Sequence, residues 1–240
     1  MGLADLHIHT IYSYDGTASV AGVLNRAREV GLNVIAITDH DEIKGSLKAF
    51  DLAPRFGVEV IPGIEITTAE GDLLALFVTE KIEPNLSLIG TILKVGEAGG
   101  ICIAPHPMAR GMGMKSLNRA SILEALQHPD ASRILIGIET YNATTLDRES
   151  NSHAQNLAAQ FPRLAQVGNS DAHILQTIGL GTTEFLGYTA ADLLEALWNG
   201  TTDVRQGAQL GSARILGAWA LNYVLSAPAR VAVLDEQNGG

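Results

Sequence analysis

A chain of 240 residues, 46% of them hydrophobic and 18% charged, can bury a sizeable core and is not disordered or fibrous. Its formal charge of −10 disfavours stable binding to long nucleic acid, which is met by lysine and arginine, and leaves small or short substrates as the expected partners. The lone cysteine, Cys102, excludes an internal disulfide, and no leader or apolar run of membrane-spanning length is present, so a cytoplasmic protein without a membrane partner is expected.

Taken in chain order, strand-like runs at residues 4–10, 33–38, 58–62, 73–78, 100–104, 133–140 and 163–168 alternate with helical patterns. The helices are expected at 18–30, 44–56, 86–97, 116–127, 145–160 and 189–198. This alternation is the signature of βαβ units and a mostly parallel sheet. Gly31 follows the first helical stretch and suits a left-handed cap. Cys102 sits inside Ile101-Cys102-Ile103-Ala104 and reads as a buried strand residue. Without a repeat or linker, residues 1–206 are expected to form one domain. Residues 207–240 follow as a C-terminal segment, with a helix near 213–225 and a frayed end from Ala229 onward.

Five of the seven histidines, His7, His9, His40, His106 and His173, fall at or just beyond the C-terminal end of a strand-like run. Barrel enzymes assemble their sites there. His7 and His9 are two apart and should face one way, as should Asp171 and His173. Pro105 and Pro107 stiffen the turn that carries His106. Glu65 projects from a largely apolar strand, where an unpaired carboxylate is costly and a metal ion would relieve it. Each feature has a structural alternative, such as a helix cap for Asp41 or a turn for Asp171, but jointly they point to a metal cluster.

The motifs Asp5-Leu6-His7-Ile8-His9-Thr10, Ser13-Tyr14-Asp15-Gly16, Thr38-Asp39-His40-Asp41, Pro62-Gly63-Ile64-Glu65, Ala104-Pro105-His106-Pro107 and Gly168-Asn169-Ser170-Asp171-Ala172-His173 resemble the PHP (polymerase and histidinol phosphatase) superfamily. The resemblance runs from Asp5 to about Gln206. It implies an α/β fold, a distorted seven-stranded β/α barrel, with two or three divalent ions, usually zinc, manganese or iron. It also implies the ligand sets. The first ion takes His7, His9, Glu65 and Asp171. Glu65 bridges to a second, bound also by His106. The third takes Asp15, His40 and His173. Many relatives place a further histidine on the fourth strand; here that position is Asp72, either a ligand with a shorter arm or a turn residue after Gly71.

The chemistry expected of such a site is hydrolysis of a phosphate ester by a metal-activated hydroxide. The substrate is a small phosphorylated metabolite, a nucleotide or a short oligonucleotide; phosphatase and exonuclease are not distinguished. Asp5, Asp39 and Asp41 are expected to accept hydrogen bonds from ligand imidazoles. Arg110 is the candidate catalytic residue, as a phosphate clamp, with a solvated loop arginine as its alternative; Lys44 is a weaker candidate. Glu139 either contacts a ligand or a histidine behind the ligands, or braces the barrel mouth. His128 and His153 read as surface residues, and the loops at 110–115 and 175–181 as places of substrate choice. Two other functions share these features: an amidohydrolase-type cleavage of C–N or C–O bonds, and a non-catalytic metal-binding domain.

Overall fold

A computed structural model describes residues 1–111, 114–208 and 210–238, the side chains of 236–238 excepted. Met112 and Gly113, in one of the two loops expected to choose substrate, therefore lie outside the described residues, as do Gln209, Gly239 and Gly240. The strands are β1 (Gly2–Asp5), β2 (Val34–Ile37), β3 (Glu59–Thr67), β4 (Asp72–Leu76), β5 (Ile101–Ala104), β6 (Leu135–Asn142), β7 (Ala165–Asn169), β8 (Gly181–Phe185) and β9 (Asp203–Gln206). They form one sheet in the order β7-β6-β5-β4-β3-β2-β1-β8-β9, curled into a nearly closed barrel.

The expected barrel is present with nine strands among the described residues rather than seven. The sheet is also not mostly parallel. β3–β4, β4–β5, β1–β8 and β8–β9 are antiparallel, and the other four pairings are parallel. One reason is local: Thr68 N donates to Gly71 O (3.0 Å), and Gly71, at φ 146°, turns the chain straight back from β3 into β4.

Closure happens where the site lies. Beyond β1 and β7 the chain pairs again, Ile8 with Ala172, through His9 N to Ala172 O (2.9 Å) and Ala172 N to His7 O (3.2 Å). Lower down, β8 lies against β7 instead, with the Thr183 hydroxyl accepting from Gly168 N (3.1 Å) and donating to Gly168 O (3.0 Å).

The helices are α1 (Val20–Glu29), α2 (Lys44–Leu52), α3 (Leu88–Glu97), α4 (Arg119–Gln127), α5 (Arg148–Ala158), α6 (Ala190–Asn199), α7 (Ser212–Leu225) and α8 (Ala227–Asn238). Gly31 takes φ 78°, as its capping position requires. α4 starts later than its apolar pattern because the Asn118 side chain caps it, accepting from Ala120 N (2.8 Å) and Ser121 N (3.1 Å). Strands β2, β4 and β5 are buried on both faces, which explains their largely apolar runs. In β4, Leu74 and Leu76 join one core cluster, with Ile103, Phe185 and Leu197, while Leu73 and Ala75 join another, with Cys102 and Ile92.

The C-terminal end is ordered further than its composition suggests. Helix α8 continues to Asn238, and Val233 is buried in the cluster containing Tyr12 and Val20, so fraying from Ala229 is corrected. Among the described residues no helix is long and apolar enough to cross a membrane.

Candidate metal centre

The nine residues singled out as ligands converge above the strand ends, and Glu65 is at their centre. It lies within β3, is fully buried, and its two oxygens address different partners. Oε2 lies 3.1 Å from His7 Nε2, 3.3 Å from His9 Nε2 and 3.4 Å from His40 Nδ1. Oε1 lies 3.1 Å from His106 Nε2. Asp171 Oδ1 faces the same pair from the other side, 3.4 Å from His7 Nε2 and 3.3 Å from His9 Nε2. Asp15 Oδ2 stands 3.5 Å from His40 Nε2 and 3.1 Å from His173 Nε2. The two-residue spacing of His7 and His9 does put both rings on one side.

Four subsets of these residues bring ligand atoms within 4.8 Å of one another: His7, His9 and Asp171; His7, Glu65 and His106; His9, Asp15, His40 and His173; and His40, Glu65 and Asp72. The first and third subsets closely follow the sets implied by the sequence. Asp72 gathers with His40 and Glu65, not with His106.

Backbone geometry sharpens the cluster. His106 and Asp171 adopt left-handed conformations, φ 27° and 52°, as does Asp41 at φ 50°, a cost for residues with side chains that surrounding bonds must offset. At His106 the bond is from its N–H to Glu139 Oε2, 2.7 Å. Glu139, buried in the middle of β6, is the hub of this support. Its Oε1 lies 3.3 Å from His7 Nδ1 and accepts from Asn169 Nδ2 (2.8 Å); its Oε2 also accepts from Asn142 Nδ2 (2.9 Å). Asn142 Nδ2 reaches Asp171 Oδ2 as well, at 3.0 Å. His106 Nδ1 sits 3.1 Å from Ser116 Oγ, and His173 Nδ1 3.1 Å from Asp171 O.

Three acids do other work than expected. Asp5 accepts from Ser170 N and Gly179 N, both 3.0 Å; Asp39 accepts from Thr10 N (2.6 Å) and the Thr10 hydroxyl (2.7 Å); Asp41 accepts from Thr67 N (2.8 Å). They tie loops together rather than orient imidazoles. Arg110 and Lys44 are exposed, and Arg110 N donates to Asp147 Oδ2 (2.9 Å). Arg110 does not line the cavity over the cluster, although Met114 of its loop does. His153 is exposed, whereas His128 is half-buried and its Nδ1 accepts from Asp130 N and Ala131 N, closing the turn after α4.

The electrostatics follow from crowding. Burial raises the Glu65 carboxyl, but the charges of His40 and His7 outweigh it and hold the group well below the usual carboxylate range. Asp171 is likewise raised by burial and pulled below its usual range by His7 and His9. Burial lowers His40, yet Glu65 and Asp15 push it up to about 10; for His173, Asp15 overcomes burial to reach about 9. His9 goes the other way, to about 4, through burial and the neighbouring His173. Burial and Glu65 push Asp72 up to about 7.

Such a set fits divalent cations. All nine donors are imidazole nitrogens or carboxylate oxygens, the mixture that zinc, manganese and iron accept. Asp72 Oδ1 and His9 Nδ1 are buried without a hydrogen-bond partner, a costly state for a polar atom. For Asp72 a cation beside Glu65 and His40 would relieve it.

The chain belongs to the PHP domain family, whose model matches residues 5–176. It is 38% identical to protein MJ1587 of Methanocaldococcus jannaschii over 163 residues, 64% of this chain and 89% of the relative. It is 31% identical to the phosphoribosyl 1,2-cyclic phosphate 1,2-diphosphodiesterase of Eggerthella lenta over 105 residues, 41% of this chain and 40% of that protein. A 64-residue stretch, 27% of this chain and 23% of the relative, is 44% identical to the 5'-3' exoribonuclease of Haemophilus influenzae. Among solved structures, PsfC from Pseudomonas syringae superposes with TM-score 0.63 at 20% identity, over 92% of this chain and 97% of that one. A candidate metal-dependent phosphoesterase from Bifidobacterium adolescentis gives TM-score 0.62 at 19% identity, over 83% and 96% of the two chains.

Proposed function

We propose that this chain hydrolyses phosphate esters, using divalent ions held by His7, His9, Asp15, His40, Glu65, Asp72, His106, Asp171 and His173. The observation that carries the reading is the split reach of Glu65, Oε2 toward His7 and His9, Oε1 toward His106. A carboxylate so placed would help to hold two neighbouring ions, one beside His7 and His9 and one beside His106. Ions bound there supply an activated water near neutral pH and charge to balance the phosphoryl oxygens. The chain's own groups position: Glu139 sets the His7 ring, and Asn142 holds Asp171. Zinc, manganese or iron fits the donors, and two or three ions fit the four ligand groupings.

Two relatives carry the names of phosphoester-cleaving enzymes, which supports this chemistry over amide or lactone hydrolysis. Small phosphorylated metabolites, nucleotides and short oligonucleotides are the substrate range, with the charge of −10 weighing against long nucleic acid. Arg110 joins the proposal as a phosphate contact, supported by Gly111 and Met114 of its loop lining the cavities beside the cluster. A cytoplasmic location belongs to the same reading, supported by the single buried, unpaired Cys102.

The test is a screen of enzyme loaded with zinc, manganese or iron against nucleoside and sugar monophosphates and a labelled oligonucleotide. Phosphate release or strand shortening is expected, lost in His9→Ala and Asp171→Ala proteins that keep the wild-type circular dichroism. Failure on every substrate by metal-loaded wild type, or activity persisting in both variants, overturns it.

A further inference from the structure

Helix α7 lies outside the residues matched by the family model, yet it roofs the metal centre. The Trp219 indole N–H donates to the backbone carbonyl of Asp15, 2.9 Å away, the same residue whose carboxylate meets His40 and His173. Tyr223, one turn on, packs against Trp219 with ring centres 5.0 Å apart. Arg230 of α8 stacks 3.3 Å over the Tyr223 ring and donates to Tyr14 O (3.4 Å) and Tyr223 O (2.9 Å), so both helices are tied to the loop that carries Asp15.

Under this roof are two adjoining cavities. One, about 480 Å³, is the space over the cluster, bounded by Glu65, His40, His106 and Asp72 and capped by Trp219 and Tyr223. The other, about 440 Å³, shares Asp15, Met114, Asp171, His173 and Trp219 with it and opens to the side, where Leu146, Ile174, Ile215 and Leu216 form an apolar wall. Three threonines also line the side cavity, but each spends its hydroxyl proton on the backbone: Thr144 on Ser170 O and Asp171 O, Thr145 on Asp147 O, Thr177 on Ile174 O. The Trp219 N–H is spent on Asp15. Against the wall of Leu146, Ile174, Ile215 and Leu216 the hydroxyls of a polyhydroxylated group would find no partner, and the threonines and Trp219 have no free proton to offer their oxygens, whereas a flat apolar ring would lose nothing.

We propose that α7 determines specificity: Trp219, Ile215 and Leu216, facing Met114, Leu146 and Ile174, take the flat aromatic part of a phosphomonoester whose phosphate reaches the metal centre. This rests on the phosphoesterase reading and narrows it to aromatic over sugar-like or polyol esters.

Two measurements test it. In metal-loaded Trp198→Phe protein, Trp219 is the only tryptophan and Trp198, half-exposed on α6, is remote from this cavity. Phenylphosphonate is expected to perturb Trp219 emission saturably and to bind at least about tenfold more tightly than methylphosphonate, with Leu216→Asp, at a half-exposed position, removing most of that advantage. Equal binding of the two phosphonates, or an advantage untouched by Leu216→Asp, overturns the proposal. In turnover, the ratio of kcat/KM for phenyl phosphate to that for glycerol phosphate is expected to fall about tenfold or more in Trp219→Ala and in Leu216→Asp, and to survive in Trp219→Phe. A ratio unmoved in both of the first two overturns it. Selective phenylphosphonate binding without any turnover upholds the pocket and overturns the phosphoesterase reading instead.

Discussion

Glu65 decides whether the cluster works as linked ion sites, because one of its oxygens meets Nε2 of the His7–His9 pair and the other meets Nε2 of His106. Glu65→Gln keeps the shape and removes the charge. Bound metal per chain should fall, by elemental analysis, and hydrolysis should disappear while the fold is kept; full metal content in that variant would refute the bridging role. Glu139 acts at one remove. Its oxygens accept from His106 N, Asn142 Nδ2 and Asn169 Nδ2 and face His7 Nδ1, so a glutamine there must turn an amide N–H₂ toward donors. Glu139→Gln should weaken metal binding about 10–100-fold in chelator competition, with the fold kept. The residues of the cluster other than Asp72 could be singled out in the sequence because they stand near or beyond the ends of strands in recognisable motifs; Asp72, the first residue of β4, could not be told from a turn residue. The supporting bonds were not. Glu139, Asn142, Asn169 and His106 come from β5, β6, β7 and their ends, and only register brings them together. Asp5, Asp39 and Asp41 look like partners for imidazoles but face backbone N–H groups, a choice of donor that residue type does not encode.

At the scale of elements, the βα units were readable because each buried strand is a continuous apolar run, as in Val34–Ile37 and Ile101–Ala104. β8 was not, since Gly181–Phe185 offers one large apolar side chain, and β9 is largely exposed apart from half-buried Val204. These strands matter because they set the end of β7. A Cβ at Gly181 would collide with the backbone oxygen of Asn169, whose side chain holds both Leu6 N and Glu139. Gly181→Ala must therefore push β7 and β8 apart or shift Asn169. A loss of about 1–3 kcal/mol in urea unfolding is expected, together with weaker metal binding. At Gly211, φ is −67° and nothing lies within 4 Å, so Gly211→Ala should stay within about 0.5 kcal/mol of wild type. Equal effects at the two glycines would show that the seam between β7 and β8 is looser than its contacts imply.

For the whole molecule, the consequence of gathering five imidazoles and four carboxylates in one barrel mouth is that stability, metal and pH are linked. Without metal, His40 and His173 are held protonated by the carboxylates, at about 10 and about 9 against an ordinary value of 6.5. Each raised histidine stabilises the metal-free fold fully below pH 6.5, and that contribution is lost as pH climbs through 9 and 10. His9, at about 4, is neutral in the fold throughout that range; its cost to the fold fades as the unfolded chain loses its own proton near 6.5, so it adds nothing to the slope above about pH 7.5. Asp72, raised to about 7, has already cost the metal-free fold its share by neutral pH, because the unfolded chain ionises first. Metal binding has the opposite slope, since ligand imidazoles must be neutral and protons compete with the ion. The melting temperatures of metal-loaded and chelated protein should therefore lie closest near pH 6.5 and diverge as pH approaches 9, the chelated form falling. A scanning calorimetry series with and without a chelator measures that gap. A gap constant across the range would mean that His40 and His173 do not exchange protons for metal, and would remove the site formed with Asp15 from the centre.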